Sequence, residues 1–201
     1  MRCRLVPALC LTAALAAPAL LAQNAPAKEE AKKPDPAMQA MMEYATPGDP
    51  QKKLEAWAGT WENKVKMWMD EKAPVQETTG ASELKMVMGG RYLEQKHEGS
   101  FMGQPFNGLG YTAYDNFEKR YISTWIDNFG TGIMVTKGTA DKSGKVITSW
   151  GTVPDPVKKK MVKMKTVAKL TDADHMSYEM WVPGDDGKLW KTLQVDYTRK
   201  K

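Results

Sequence analysis

The chain has 201 residues, of which 42% are hydrophobic and 26% are charged. This length suits one domain with a short appendage, and this composition excludes a wholly disordered chain. With 16 glycines and 12 prolines, the chain is neither collagen-like nor of low complexity.

The first 22 residues predict a secretory signal peptide. Arg2 and Arg4 precede an apolar run from Leu5 to Ala22, and polar Gln23 follows. A basic start, a short apolar run and a small residue before the cleavage point are typical of such leaders. We therefore expect cleavage after Ala22 and a secreted or periplasmic protein. A retained membrane anchor is the alternative, because the run is at the lower length limit for a membrane span.

Cleavage would remove both cysteines, Cys3 and Cys10. The mature chain would then have no disulfide, no thiol nucleophile and no thiolate metal site. Loss of Arg2 and Arg4 lowers the net charge from +5 to +3, which is not a nucleic-acid footprint. No other apolar run is long enough to span a membrane.

Residues 23–37 are rich in Ala, Pro, Lys and Glu and contain no large apolar residue, so they predict a disordered tether. Residues 38–201 remain as one domain. It opens with a short helix over Met38–Ala45. A second helix is predicted with Asp49 as its N-cap, Pro50 at its first position and Gly59 as its end.

From Thr60 onward the hydrophobic period changes to two, which indicates strands. About ten strand-like segments are separated by turn residues. They are predicted near residues 60–70, 75–88, 90–99, 106–114, 119–127, 131–140, 145–152, 158–170, 174–183 and 188–199. Short links favour antiparallel neighbours, and closure into an up-and-down barrel removes both open edges. A barrel of this strand number leaves an interior cavity.

The sequence Gly59-Thr60-Trp61 after a short helix resembles the opening of the lipocalins and their relatives, the calycins. The resemblance implies that Trp61 closes one end of the barrel and that an arginine of the last strand stacks over it. Arg199 is the matching residue, and a cation–π contact is the physical reason for the pair.

Five longer segments are similar to a bacterial family, domain-of-unknown-function family 1579, whose members are calycin-like barrels. The segments are Met41–Tyr44, Gly59–Glu62, Gly89–Gln95, Tyr114–Asn116 and Ser123–Gly132. The resemblance implies the barrel fold and no established activity.

Aromatic and charged residues in half-buried segments are the candidate ligand contacts of such a cavity. The predicted lining is Arg91, Tyr92, Tyr111, Tyr114, Trp125, Asp127, Met164, Tyr178 and Tyr197. An inward Arg91 would suit a ligand carboxylate. The leading hypothesis is a lipocalin-like binder of a small apolar or amphiphilic molecule.

Chemistry beyond binding finds little support in the sequence. His97 and His175 are the two histidines; no nucleophile elbow is present, and their spacing suits no metal site. We therefore expect no catalytic group, no metal and no cofactor.

Three alternatives stay open. The barrel could be a filled envelope or interaction module without a ligand. It could bind haem, as nitrobindin-like relatives of this architecture do, which requires an inward histidine. It could also be an enzyme that uses Asp127 or Glu94 with a tyrosine.

Overall fold

The computed structural model describes residues 35–201, so the predicted leader and most of the predicted tether lie outside the described residues. Helix α1 spans Pro36–Ala45, two residues earlier than predicted, because the Asp35 side chain accepts the Ala37 amide and Pro36 occupies the first helical position. Helix α2 spans Asp49–Leu54. Its N-cap is Gly48 rather than Asp49, and a 3₁₀ turn over Glu55–Trp57 follows it.

Ten antiparallel strands form one closed barrel in which each strand pairs with its neighbours in sequence and β1 pairs with β10. The strands are β1 (Gly59–Met67), β2 (Gln76–Val87), β3 (Tyr92–Phe101), β4 (Gln104–Asp115), β5 (Arg120–Asp127), β6 (Met134–Ala140), β7 (Val146–Asp155), β8 (Lys160–Leu170), β9 (His175–Pro183) and β10 (Leu189–Arg199). The predicted all-β, ten-stranded up-and-down barrel is confirmed.

Strict alternation along the last strand predicts that Leu189 shares a face with Leu193, Val195 and Tyr197, and this prediction is wrong. A β-bulge between Lys191 and Leu193 shifts the register, and Leu189 is exposed. An extra residue in one strand reverses the side on which all earlier side chains lie.

The two ends of the barrel differ. Because β1 starts at the helical end, the turns that follow the even-numbered strands also lie there, and those that follow the odd-numbered strands lie at the opposite end. The helical end is sealed by Leu54, Trp57 and Trp61, which are almost completely buried. We call this the closed end and the opposite end the mouth.

Polar side chains attach the helices to the turns of the closed end. The Asn116 amide donates to the carbonyls of Tyr44 and Thr46, both at 2.9 Å. The Gln51 amide donates to the Tyr114 carbonyl at 3.0 Å and to the Asn116 side chain at 3.1 Å. These bonds satisfy carbonyls at the end of α1 and hold the cap against the barrel.

Arg199 completes the closed end. Its guanidinium carbon lies 4.1 Å from the centre of the Trp61 ring, which is a cation–π contact. The guanidinium also donates to the carbonyls of Ala58 at 2.7 Å and Ala173 at 2.6 Å. Gly59 has a φ of +145°, and a Cβ there would collide with Arg199 Nη1. The Gly-x-Trp pattern therefore reflects the space that this arginine occupies.

We predict that Arg199→Lys lowers the free energy of unfolding by about 2 kcal/mol, because a lysine cannot make the forked bonds and the stacking together. Urea denaturation followed by tryptophan fluorescence measures the change. Arg120→Lys is the matched control, since Arg120 is half exposed and pairs with Glu118 alone. The control should stay within about 0.5 kcal/mol of wild type. Equal values for the two variants would contradict the closing role of Arg199.

Candidate functional site

A large cavity of about 1010 Å³ occupies the barrel interior. Leu54 and Trp57 form its floor at the closed end. Its wall is mostly apolar and aromatic, with serine and threonine hydroxyls from several strands. A concave apolar cavity with a few inward polar groups is the usual form of a small-molecule site.

The mouth is rimmed by apolar side chains that both line the cavity and reach solvent. They are Met69, Phe129, Ile133 and Met161. Phe129 packs edge-on against Phe101, with ring centres 4.9 Å apart, and lies 5.7 Å from Phe106. The rim of the entrance is therefore largely apolar, and Asp127 is the one carboxylate among the described lining residues.

Five of the nine residues predicted for the lining do line the cavity. They are Tyr111, Trp125, Asp127, Tyr178 and Tyr197. The Tyr111 hydroxyl, however, donates to Glu94 at 2.8 Å, and Lys85 and Lys96 also contact that carboxylate. Because Tyr111 lies between the inward residues Gly110 and Thr112, we place its hydroxyl on the outer face.

Arg91 does not line the cavity, and its predicted role toward a ligand carboxylate has no geometric basis. The residue lies in the turn between β2 and β3 at the closed end. Its guanidinium donates to the Ala45 carbonyl at 2.7 Å and to the Met88 carbonyl at 3.2 Å. Arg91 therefore joins α1 to this turn on the surface.

Three further predicted residues are also absent from the lining. Tyr92 begins β3 and is exposed. Tyr114 packs below the cavity with its ring 5.1 Å from that of Tyr121. Met164 is completely buried but does not reach the cavity wall.

Trp125 lies flat against the wall because two glycines face it. A Cβ on Gly108 would collide with the indole, and one on Gly110 would lie 2.9 Å from it. The indole nitrogen donates to Asp127 Oδ2 at 3.0 Å. The other oxygen of Asp127 accepts the amides of Phe129 and Gly130. The carboxylate therefore shapes the loop between β5 and β6 at the mouth.

The sequence pattern leaves open which face of β3 carries His97, and the structure places the side chain on the inner face. It is buried and lines the cavity. Its Nδ1 lies 2.8 Å from Asn63 Nδ2 and 3.0 Å from Ser82 Oγ, and both neighbours are buried. We call Asn63, Ser82 and His97 the polar trio. The ring fits against the wall because Gly80 and Gly99 carry no Cβ, which would lie 2.9 Å from its edge.

The titration of the cavity groups follows from burial. Burial lowers the pKa of His97 below the ordinary value of 6.5, opposed by the nearby charge of Glu98. Burial raises the pKa of Tyr197 to about 12, and it raises the pKa of Tyr178 further. All three groups are therefore neutral at pH 7. The Tyr197 hydroxyl accepts a hydrogen bond from the Gln95 amide at 3.3 Å.

Within residues 35–201, no group of three or more His, Cys, Asp or Glu side chains is placed to hold a metal ion. That part of the chain also has no helix whose length and hydropathy would let it cross a bilayer.

The fold and the cavity together define a class: a closed ten-stranded antiparallel barrel with a deep, mostly apolar interior that opens at one end. The chain belongs to the family described as "Protein of unknown function (DUF1579)", whose model matches residues 46–199. The suspected family is thereby confirmed.

One solved structure shows a similar fold. Rv2717c from M. tuberculosis is 16% identical, with a TM-score of 0.59, over 78% of this chain and 100% of that chain. A redesigned β-barrel, mFAP0, solved bound to DFHBI, is 14% identical with a TM-score of 0.38, over 72% of this chain and 99% of that chain. No curated protein matches the chain.

We predict that the pKa of His97, followed through its imidazole signal in an NMR titration, lies below 6.5. The unfolded chain gains a proton on His97 at about pH 6.5, while the folded chain does not until lower pH. The free energy of unfolding should therefore fall as the pH drops from about 6.5 toward the folded pKa. His97→Gln should lose this component of the pH dependence.

His175→Gln is the control for the assignment, because it removes the other imidazole, which lies at the surface beside Asp172. The variant should retain the imidazole signal that titrates below pH 6.5. A His97 signal that titrates at or above 6.5 would contradict its burial among neutral partners.

Proposed function

We propose that the protein binds a small, largely apolar molecule inside the barrel. The carrying observation is the cavity of about 1010 Å³, sealed at the closed end and open at an apolar mouth. Its wall offers an aromatic side with Trp125, Phe106 and Phe101, and hydroxyl groups deeper inside. Such a site supports binding of amphiphilic as well as purely apolar molecules.

The open interior disfavours a filled barrel, which needs side chains packed to the density of a protein core. The enzymatic alternative also finds little support. Glu94 and Tyr111 do form a hydrogen-bonded pair, but on the outer face. Asp127 lies at the mouth with both oxygens already accepting hydrogen bonds.

We further propose that binding takes place outside the cytoplasm. The support is the signal-peptide pattern of residues 1–22. A protein in that location meets the lipids and small apolar compounds of the envelope.

Haem is the second candidate ligand, and inward His97 is the observation that favours it. A histidine that ligates iron needs a bare Nε2, with its other nitrogen donating to a neighbour. In the polar trio the Asn63 amide nitrogen faces Nδ1, which places the proton on Nε2 instead. The trio fits haem only if Oδ1 and Nδ2 of Asn63 exchange places, so that Oδ1 accepts from Nδ1. Haem is therefore the second candidate, after a small apolar molecule. Haem binding would be favoured if the protein, after reconstitution with haem, showed the absorption band typical of haem proteins and if the His97→Gln variant lacked that band.

The binding proposal is tested with N-phenyl-1-naphthylamine, an uncharged dye that fluoresces in apolar surroundings. We predict saturable binding by wild-type residues 23–201. Ser123→Trp places an indole inside the cavity and should weaken binding at least about tenfold, which is about 1.4 kcal/mol.

Ile122→Trp is the matched control, because Ile122 is the neighbouring residue on β5 and does not line the cavity. It should bind the dye as wild type does. Absence of binding by wild type, or equal loss in both variants, would contradict a ligand site in the barrel.

A further inference from the structure

We infer that the cavity selects uncharged ligands and that His97 donates a hydrogen bond to an acceptor, such as a hydroxyl or carbonyl oxygen, on the bound molecule. This inference rests on the proposed function and names the chemical class of its ligand. It follows from two independent features of the cavity wall, its charge and the polar trio.

The first feature is the lack of cations. Although the sequence has 29 lysines and arginines, none is among the described residues that line the cavity. Arg91, the expected partner of a ligand carboxylate, is bound to carbonyls at the closed end. An anionic head group inside the barrel would therefore lose its hydration without gaining a counter-charge.

Asp127 is the charged residue of the described cavity wall. It is the one carboxylate among the described lining residues, and it lies at the mouth. Its negative charge repels anions at the entrance. It offers little to a cation, because Trp125 and two backbone amides already donate to its oxygens. The wall thus favours neither sign of charge in the interior.

The polar trio supplies the specific contact. The Asn63 amide donates to Ser82 Oγ at 2.7 Å and to His97 Nδ1 at 2.8 Å. Because Nδ1 accepts, the proton of the neutral ring resides on Nε2. No described residue hydrogen-bonds this nitrogen. The Nε2–H group of His97 is therefore a neutral hydrogen-bond donor at the cavity wall, and it has no acceptor among the described residues.

The trio is also incompletely satisfied in a second place. Asn63 is 2% exposed, and its Oδ1 has no hydrogen-bond partner among the described residues. Buried amide oxygens are rarely left in this state. Asn63 itself is not among the described residues that line the cavity, so the contact offered to a ligand is His97 Nε2.

The experiment compares three molecules with the same ten-carbon chain: decan-1-ol, decanoate and decylammonium. Each is used to displace N-phenyl-1-naphthylamine from wild type at pH 7.5. We expect decan-1-ol to displace the dye at a concentration at least about tenfold lower than either ion. Equal or better displacement by decanoate or decylammonium would overturn the inference while the dye still supports the binding proposal. Failure of the dye to bind at all would overturn both.

Two variants separate the features. His97→Phe keeps an aromatic ring at this position, and it should weaken decan-1-ol about fivefold relative to the variant's own affinity for the dye, which is the size of one neutral hydrogen bond. Met180→Lys puts a cation on the cavity wall and should raise the affinity for decanoate at least about tenfold. His175→Lys adds the same charge on the exposed start of β9, away from the lining, and should leave decanoate binding as in wild type.

Displacement by decan-1-ol as effective in His97→Phe as in wild type, relative to dye affinity, would overturn the assignment of His97 as the donor. Circular dichroism establishes that each variant is folded. Should either variant fail to fold, the wild-type comparison of the three ten-carbon probes still decides whether the cavity excludes charge.

Discussion

Small residues at inward-facing positions keep the barrel open, and the candidate site depends on them. Gly108 and Gly110 leave room for the Trp125 indole against the wall. On β6 and β7, Gly138 pairs with Ser149 and Gly151 with Thr136, and a Cβ at either glycine would collide with the neighbouring strand. Leucine or phenylalanine at such positions would fill the interior, as in a packed core. The cavity therefore depends on glycines at inward-facing positions, where a larger side chain would occupy its space.

The open interior has an energetic consequence at the closed end. A barrel whose centre is not packed loses much of the usual core burial, so stability has to come from the ladders of the ten strands and from the cap. Trp61 is completely buried, and Arg199 bonds to carbonyls on both sides of it. This division leaves the mouth free to carry exposed apolar side chains, where we propose that a ligand enters.

Much of the fold was predictable, because apolar and polar residues alternate along the short strands and Gly, Asn and Asp mark the turns between them. The strand number, the order and the Trp61–Arg199 pair all followed from local pattern or resemblance. Leu189 did not, since a bulge is a single residue that the alternation cannot reveal. Arg91 was misplaced because its partner, the Ala45 carbonyl, is distant in sequence and belongs to a helix packed on the closed end.

His97 was the most informative residue left undecided. It shares its parity with Leu93 and Gln95, which line the cavity, and with Arg91, which lies in the turn before β3. Because Arg91 precedes the strand, its charge says nothing about the inner face. Within β3 alone, the alternation of Leu93, Gln95 and His97 predicts that His97 faces inward. The contacts of His97 with Asn63 and Ser82 join β1, β2 and β3, and no pattern in a single strand predicts them.

A crystal structure of the protein with decan-1-ol tests the central claim most directly. The account predicts an alkyl chain inside the barrel beside Trp125, with the hydroxyl oxygen about 3 Å from His97 Nε2. Side chains collapsed into the interior, or an alcohol bound outside the barrel, would contradict it.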